Sequence, residues 1–136
     1  MTISRLALFG AAALVSAAAF AAPVAAGPSA KHIIAALDPD KDGTLDKGEV
    51  LRGAIAKFKR MNPDKDRTLE PNEVVGVVSP RAFVYSDRNK DGKLSLGEYL
   101  HLTKLAFLAS NPDKDRTIEA DELRTKHGRV LARMIY

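Results

Sequence analysis

Oxygen donors recur in this chain at one fixed spacing. Four twelve-residue windows, 38–49, 62–73, 87–98 and 111–122, carry Asp, Asn, Thr, Ser or Glu at most of their alternate positions, and each closes on a glutamate. Taken at the first, third, fifth, seventh, ninth and twelfth positions, the first window supplies Asp38, Asp40, Asp42, Thr44, Asp46 and Glu49. The second supplies Asn62, Asp64, Asp66, Thr68, Glu70 and Glu73, and the third Asp87, Asn89, Asp91, Lys93, Ser95 and Glu98. The fourth supplies Asn111, Asp113, Asp115, Thr117, Glu119 and Glu122. A hard cation takes about six to eight oxygens, and this spacing wraps such a set around one point, the seventh residue giving its backbone carbonyl and the last glutamate both oxygens. All 17 acidic residues of the 136-residue chain fall inside these windows, so they are not general surface charge.

The pattern is that of an EF-hand loop, met four times. The eighth position is apolar in each (Leu45, Leu69, Leu94, Ile118), where paired loops join through a short β-bridge. The sixth position bends the chain and favours glycine, which tolerates positive φ. Gly43 and Gly92 satisfy this, whereas Arg67 and Arg116 do not. A left-handed backbone at those arginines costs about 1–2 kcal/mol each. Loops 2 and 4 therefore admit two readings, working sites or degenerate loops held by pairing. Ligand-position carboxylates number five, four, three and four, and the basic residues bring the loops to net charges of −3, −2, 0 and −3. Attraction scales with the charge product, so loop 1 suits a trivalent ion best. Loop 3 reads as a weaker calcium-type site, and loops 1 and 3 are the two expected to be filled. The fourth-position lysines, Lys41, Lys65, Lys90 and Lys114, are expected to face water.

The connecting segments decide which loops meet. Loop starts are 24, 25 and 24 residues apart, and Asn-Pro-Asp-Lys-Asp-Arg-Thr occurs at both 62–68 and 111–117, the mark of a duplicated two-loop unit. Val50–Met61 and Tyr99–Ser110 each read as one helix about 18 Å long. Their apolar spacings are Leu51, Ile55, Phe58 and Leu102, Leu105, Ala106. Between them, Val74–Ser86 holds Ser79-Pro80, a helix cap followed by a first-turn proline. This predicts two short helices with a turn, loop pairs 2/3 and 1/4, and an all-α compact helical bundle with short β-bridges. Ser29 is expected to cap a helix over Ala30–Leu37, and Val130, Leu131, Met134 and Ile135 to pack the tail into the core.

Residues 1–21 read as a secretory signal peptide, with Arg5, an apolar run from Leu6 to Phe20 and an Ala-Phe-Ala cut. An alternative cut follows residue 26, and 22–136 is the expected four-loop domain. The absence of cysteine excludes a disulfide scaffold and a thiol nucleophile. His32, His101 and His127 are isolated, and there is no Gly-rich phosphate loop or G-x-S-x-G element, so an enzyme is not expected. The formal net charge of +4 separates into −8 in the loops and +12 outside them. Arg52, Lys57, Lys59 and Arg60, and Arg124, Lys126, Arg129 and Arg133, form two basic clusters. They either balance the acidic loops or dock on an anionic protein or membrane surface. Export makes nucleic acid an unexpected partner.

The loop spacing, proline at the second position (Pro39, Pro63, Pro112) and Asp46 at the ninth make the chain similar to the lanmodulin family of periplasmic EF-hand proteins. The resemblance implies a three-helix bundle that folds around trivalent lanthanide ions in a bacterial periplasm, acting as metal chaperone, buffer or sensor. It carries over Asp38, Asp40, Asp42, the Thr44 carbonyl, Asp46 and Glu49 as a complete site. The departures are Asn62 and Asn111 at the first position, Glu70 and Glu119 at the ninth, and Arg88, Asn89, Lys93 and Ser95 in loop 3. Unlike that acidic family, this chain is basic overall.

Overall fold

The computed structural model describes residues 27–136, so the expected signal peptide lies outside the described residues. Helix α1 spans Ala30–Leu37, and Ser29 caps it by accepting from the His32 amide. Loop 1 ends in a two-residue strand, β1 (Leu45–Asp46), and runs directly into α2 (Lys47–Met61). Loop 2 carries β2 (Thr68–Leu69), and α3 (Pro80–Ser86) leads to loop 3 with β3 (Leu94–Ser95) and α4 (Leu96–Ser110). Loop 4 carries β4 (Thr117–Ile118), followed by a 3-10 turn (Glu122–Arg124) and α5 (Lys126–Ile135).

The loops pair as their connections require. β1 pairs antiparallel with β4 (Leu45 opposite Ile118), and β2 with β3 (Leu69 opposite Leu94). All four eighth-position residues are fully buried at these bridges. Single helices α2 and α4 carry the chain from one pair to the other, and α2, α4 and α5 pack against each other as a three-helix core.

Four expectations change. Ser79 caps α3 and Pro80 starts it, but the stretch before it forms successive turns in place of a second short helix. Glu70 at the ninth position is a poor cap, and Gly76 at φ 78° breaks the regular helical backbone. The buried stripe of α2 is Val50, Ala54 and Phe58, with Leu51 and Ile55 half-buried beside it. In α4 it is Tyr99, Thr103 and Phe107, while Leu105 and Leu108 are exposed. Tyr99 sets this rotation: its ring stacks at a tilt on Phe58, 5.7 Å between centroids, and its hydroxyl donates to the Met134 carbonyl at 2.8 Å. In the tail, Leu131, Met134 and Ile135 are buried as expected, whereas Val130 is exposed.

Close backbone approaches fix α5. A Cβ on Gly128 would collide with the Glu122 carbonyl, so glycine is required where the chain turns from the 3-10 segment into α5. His32 and Tyr136 are hydrogen-bonded at 2.9 Å, and Arg60 donates to the Tyr136 carbonyl at 2.8 Å, joining α1, α2 and the C-terminus. Among the described residues no helix is long and apolar enough to cross a membrane.

Candidate metal centre

Each loop is built by its own short side chains. In loop 1, Asp38 accepts from the Lys41 and Gly43 amides at 2.6 and 2.8 Å, and Asp42 accepts from the Thr44 amide and hydroxyl. These contacts fold the chain back on itself before any ion is considered. The sixth residue is left-handed in every loop: Gly43 at φ 85°, Arg67 at 72°, Gly92 at 78° and Arg116 at 80°. The arginines therefore carry the backbone cost that glycine avoids. All four fourth-position lysines are exposed.

The ninth residue separates odd from even loops. Asp46 and Ser95 accept from the third helical amide, Glu49 and Glu98 reach back to the cap amide, and a 15-residue helix follows each of these capping boxes. Glu70 and Glu119 are too long to cap. Their amides still donate to Glu73 and Glu122 at 2.9 and 3.0 Å, but turns and a 3-10 segment follow. The last glutamate of a loop thus ties the ligand arc to the element that leaves it.

Carboxylates converge in three loops. Ligand atoms lie within 4.8 Å of one another in Asp38, Asp40 and Glu49, in Asp64, Asp66 and Glu70, and in Asp113, Asp115 and Glu119. Among the described residues loop 3 forms no such group. Its three carboxylates are engaged internally. Asp87 accepts from the Asp91 and Gly92 amides, Asp91 from the Asn89 side chain, and Glu98 from the Arg88 and Ser95 amides. The acids thus converge in loops 1, 2 and 4.

The donor sets fit a hard cation. Two buried oxygens at ligand positions have no hydrogen-bond partner: Asn62 Oδ1, first in loop 2, and Glu122 Oε1, last in loop 4. An orphaned buried acceptor is costly unless something electropositive reaches it. Protonation reports the same crowding. The hydrogen bond with Glu122, burial and the nearby charges push Glu119 up to about 7. Asp40 is raised chiefly by its hydrogen bond with Asp38, and burial raises Glu49. Burial would also raise Asp38, but the loop amides outweigh it and hold that carboxyl below its usual range.

Loop 2 differs. Lys93 of loop 3 reaches across the bridge, its Nζ 2.9 Å from Asp66 Oδ2 and 2.6 Å from Glu70 Oε1. Its ammonium holds Asp66 down at about 2 and Glu70 below the usual glutamate range. Within its own loop the ligand position of Lys93 calls only for its backbone carbonyl. The signal for its side chain was the loop pairing itself, since in pair 2/3 a seventh residue faces the partner's ninth.

Helices joined by paired, oxygen-rich, EF-hand-like loops define the class: a helical protein with metal-competent acidic loops. No family model matches the chain. It is 57% identical over 68 residues to lanmodulin of Methylorubrum extorquens, a likeness covering 50% of this chain and 49% of lanmodulin. The similarity thus spans about half the length of each protein.

Proposed function

We propose that this chain is an exported metal-binding protein that takes calcium or trivalent lanthanide ions in its acidic loops and acts as a periplasmic metal chaperone, buffer or sensor. The convergence of three carboxylate groups in each of loops 1, 2 and 4 carries this reading. In loop 1, Asp38, Asp40, Asp42, Asp46 and Glu49 hold the ion with the Thr44 carbonyl. In loop 4 the donors are Asn111, Asp113, Asp115, Glu119 and Glu122. An all-oxygen donor set favours hard cations over soft transition metals, and the similarity to lanmodulin supports the same choice. Bound ion neutralises the clustered carboxylates, and it stabilises the fold by mass action.

The test is titration of the metal-free protein with lanthanum and with calcium, followed by calorimetry and circular dichroism. A gain in helix at far lower lanthanum than calcium identifies a lanthanide protein, and equal responses a calcium protein. No response to either ion contradicts the proposal.

A second reading rests on one observation. Lys57, Arg124, Arg129 and Arg133 line an open cleft of about 800 Å³ that has Ile33 and Leu123 on its apolar side. Such a surface suits docking on an anionic partner once metal has set its shape. Salt-sensitive, metal-dependent binding to anionic vesicles supports this reading, and its absence removes the membrane version.

A further inference from the structure

The β2–β3 register places Thr68 opposite Ser95 and Leu69 opposite Leu94. Continued by one residue, it sets Lys93 opposite Glu70, an opposite-charge cross-strand pair. The ammonium does more than pair. It lies 2.6 Å from Glu70 and 2.9 Å from Asp66, two of the three acids that converge in loop 2. In the other pair the matching position is Thr44 opposite Glu119, and a threonine brings no charge.

We propose that Lys93 is a tethered cation that keeps loop 2 neutralised and competes with any metal ion for Asp66 and Glu70, so that loop 3 sets the affinity of loop 2. The proposal rests on reading loop 2 as a metal loop. One observation bears on that reading independently: the buried Asn62 Oδ1 at its first position has no partner.

A metal ion entering loop 2 must take the oxygens that the ammonium now holds. The lysine side chain is 39% exposed, so it can swing into water without unfolding the bridge. Its departure costs the same whichever ion arrives. The tether therefore lowers affinity for calcium and lanthanide alike and leaves the preference between them unchanged. The loop 3 donor from this residue is its backbone carbonyl, so replacing the side chain leaves the ligand set of loop 3 intact.

The test compares the full chain with Lys93→Met and Lys93→Thr, threonine being the seventh residue of the other three loops. Each is titrated with lanthanum and with calcium, and the Leu69 amide resonance is followed for loop 2 and the Leu45 amide for loop 1. Both variants are expected to fill loop 2 at about tenfold lower concentration of either ion, the loss of one partly exposed ion-pair network. Loop 1 is expected to be unchanged. In the unsubstituted chain the Lys93 ammonium resonance should shift as loop 2 fills. Equal loop 2 affinities in all three chains would overturn the tether while leaving loop 2 a metal site. If Leu69 never responds although Leu45 does, loop 2 is not a metal site and the tether falls with it.

Discussion

The two loop pairs share one frame and differ in charge, −6 for loops 1 and 4 against −2 for loops 2 and 3. Both are closed by a two-residue antiparallel bridge with two fully buried apolar residues. In pair 1/4 the last glutamates, Glu49 and Glu122, are buried, and among the described residues the cation nearest them is the exposed Arg52, 3.8 Å from Glu49. Asp40, Glu49 and Glu119 there are all pushed towards the protonated form. In pair 2/3 the last glutamates are only half-buried, and Lys93 holds Asp66 and Glu70 ionised. Glu73, raised by burial, is the exception in that pair. The same bridge register can thus leave one cluster short of positive charge while the other supplies its own.

The largest effect that sharpens this contrast is expected from Glu49→Gln. Removing a buried ligand charge should weaken ion binding at loop 1 by about a hundredfold or more. Glu73→Gln should cost less, because that carboxylate is half-buried and its loop already holds an ammonium. Calorimetry on both variants checks the order, and equal losses would break the contrast.

Gly128→Ala strikes pair 1/4 directly, at the Glu122 carbonyl. Overpacking against the Glu122 carbonyl should destabilise the chain by about 2 kcal/mol in urea unfolding. It should also weaken ion binding at loop 4 more than at loop 2.

Arg67→Gly and Arg116→Gly, one in each pair, should each stabilise the metal-free protein by about 1 kcal/mol, since glycine relieves a left-handed φ of 72° or 80°. Binding should tighten as well. Unchanged unfolding midpoints would show that the arginines make compensating contacts.

The smallest effect is protonic. Glu119 titrates at about 7 in the metal-free fold against an ordinary 4.5. Its raised value favours the fold fully below pH 4.5, and that contribution is lost as pH rises through about 7. Metal must displace the proton that this pair shares. Binding at loop 4 should therefore release up to one proton at pH 6 and none at pH 8, with affinity rising between them. Calorimetry in two buffers of different ionisation heat measures this.

Much of the frame was legible in the sequence. Linkers too short for two helices, with Ser79-Pro80 breaking only the middle one, were enough to specify the 1/4 and 2/3 pairs. Ser29 marked α1 to the residue, and the eighth-position residues marked the bridges. The face of α4 was not legible, because Leu102, Leu105 and Leu108 compete with Tyr99 and Phe107 and only tertiary packing selects between them. The Lys93 contact was hidden for a related reason. Within loop 3 a seventh-position side chain looks idle, and its partners appear only when the loops are set in register. Loop 3, the least charged of the four, is also the loop whose carboxylates form no cluster among the described residues.

The most direct measurement is an amide NMR titration of the metal-free protein with lanthanum at sub-stoichiometric steps. Leu45 and Ile118 report pair 1/4, and Leu69 and Leu94 report pair 2/3. Pair 1/4, short of positive charge, is predicted to complete its shift before pair 2/3 begins. Simultaneous shifts, or Leu69 and Leu94 moving first, would contradict the claim that charge placement across the two bridges sets the order of ion binding.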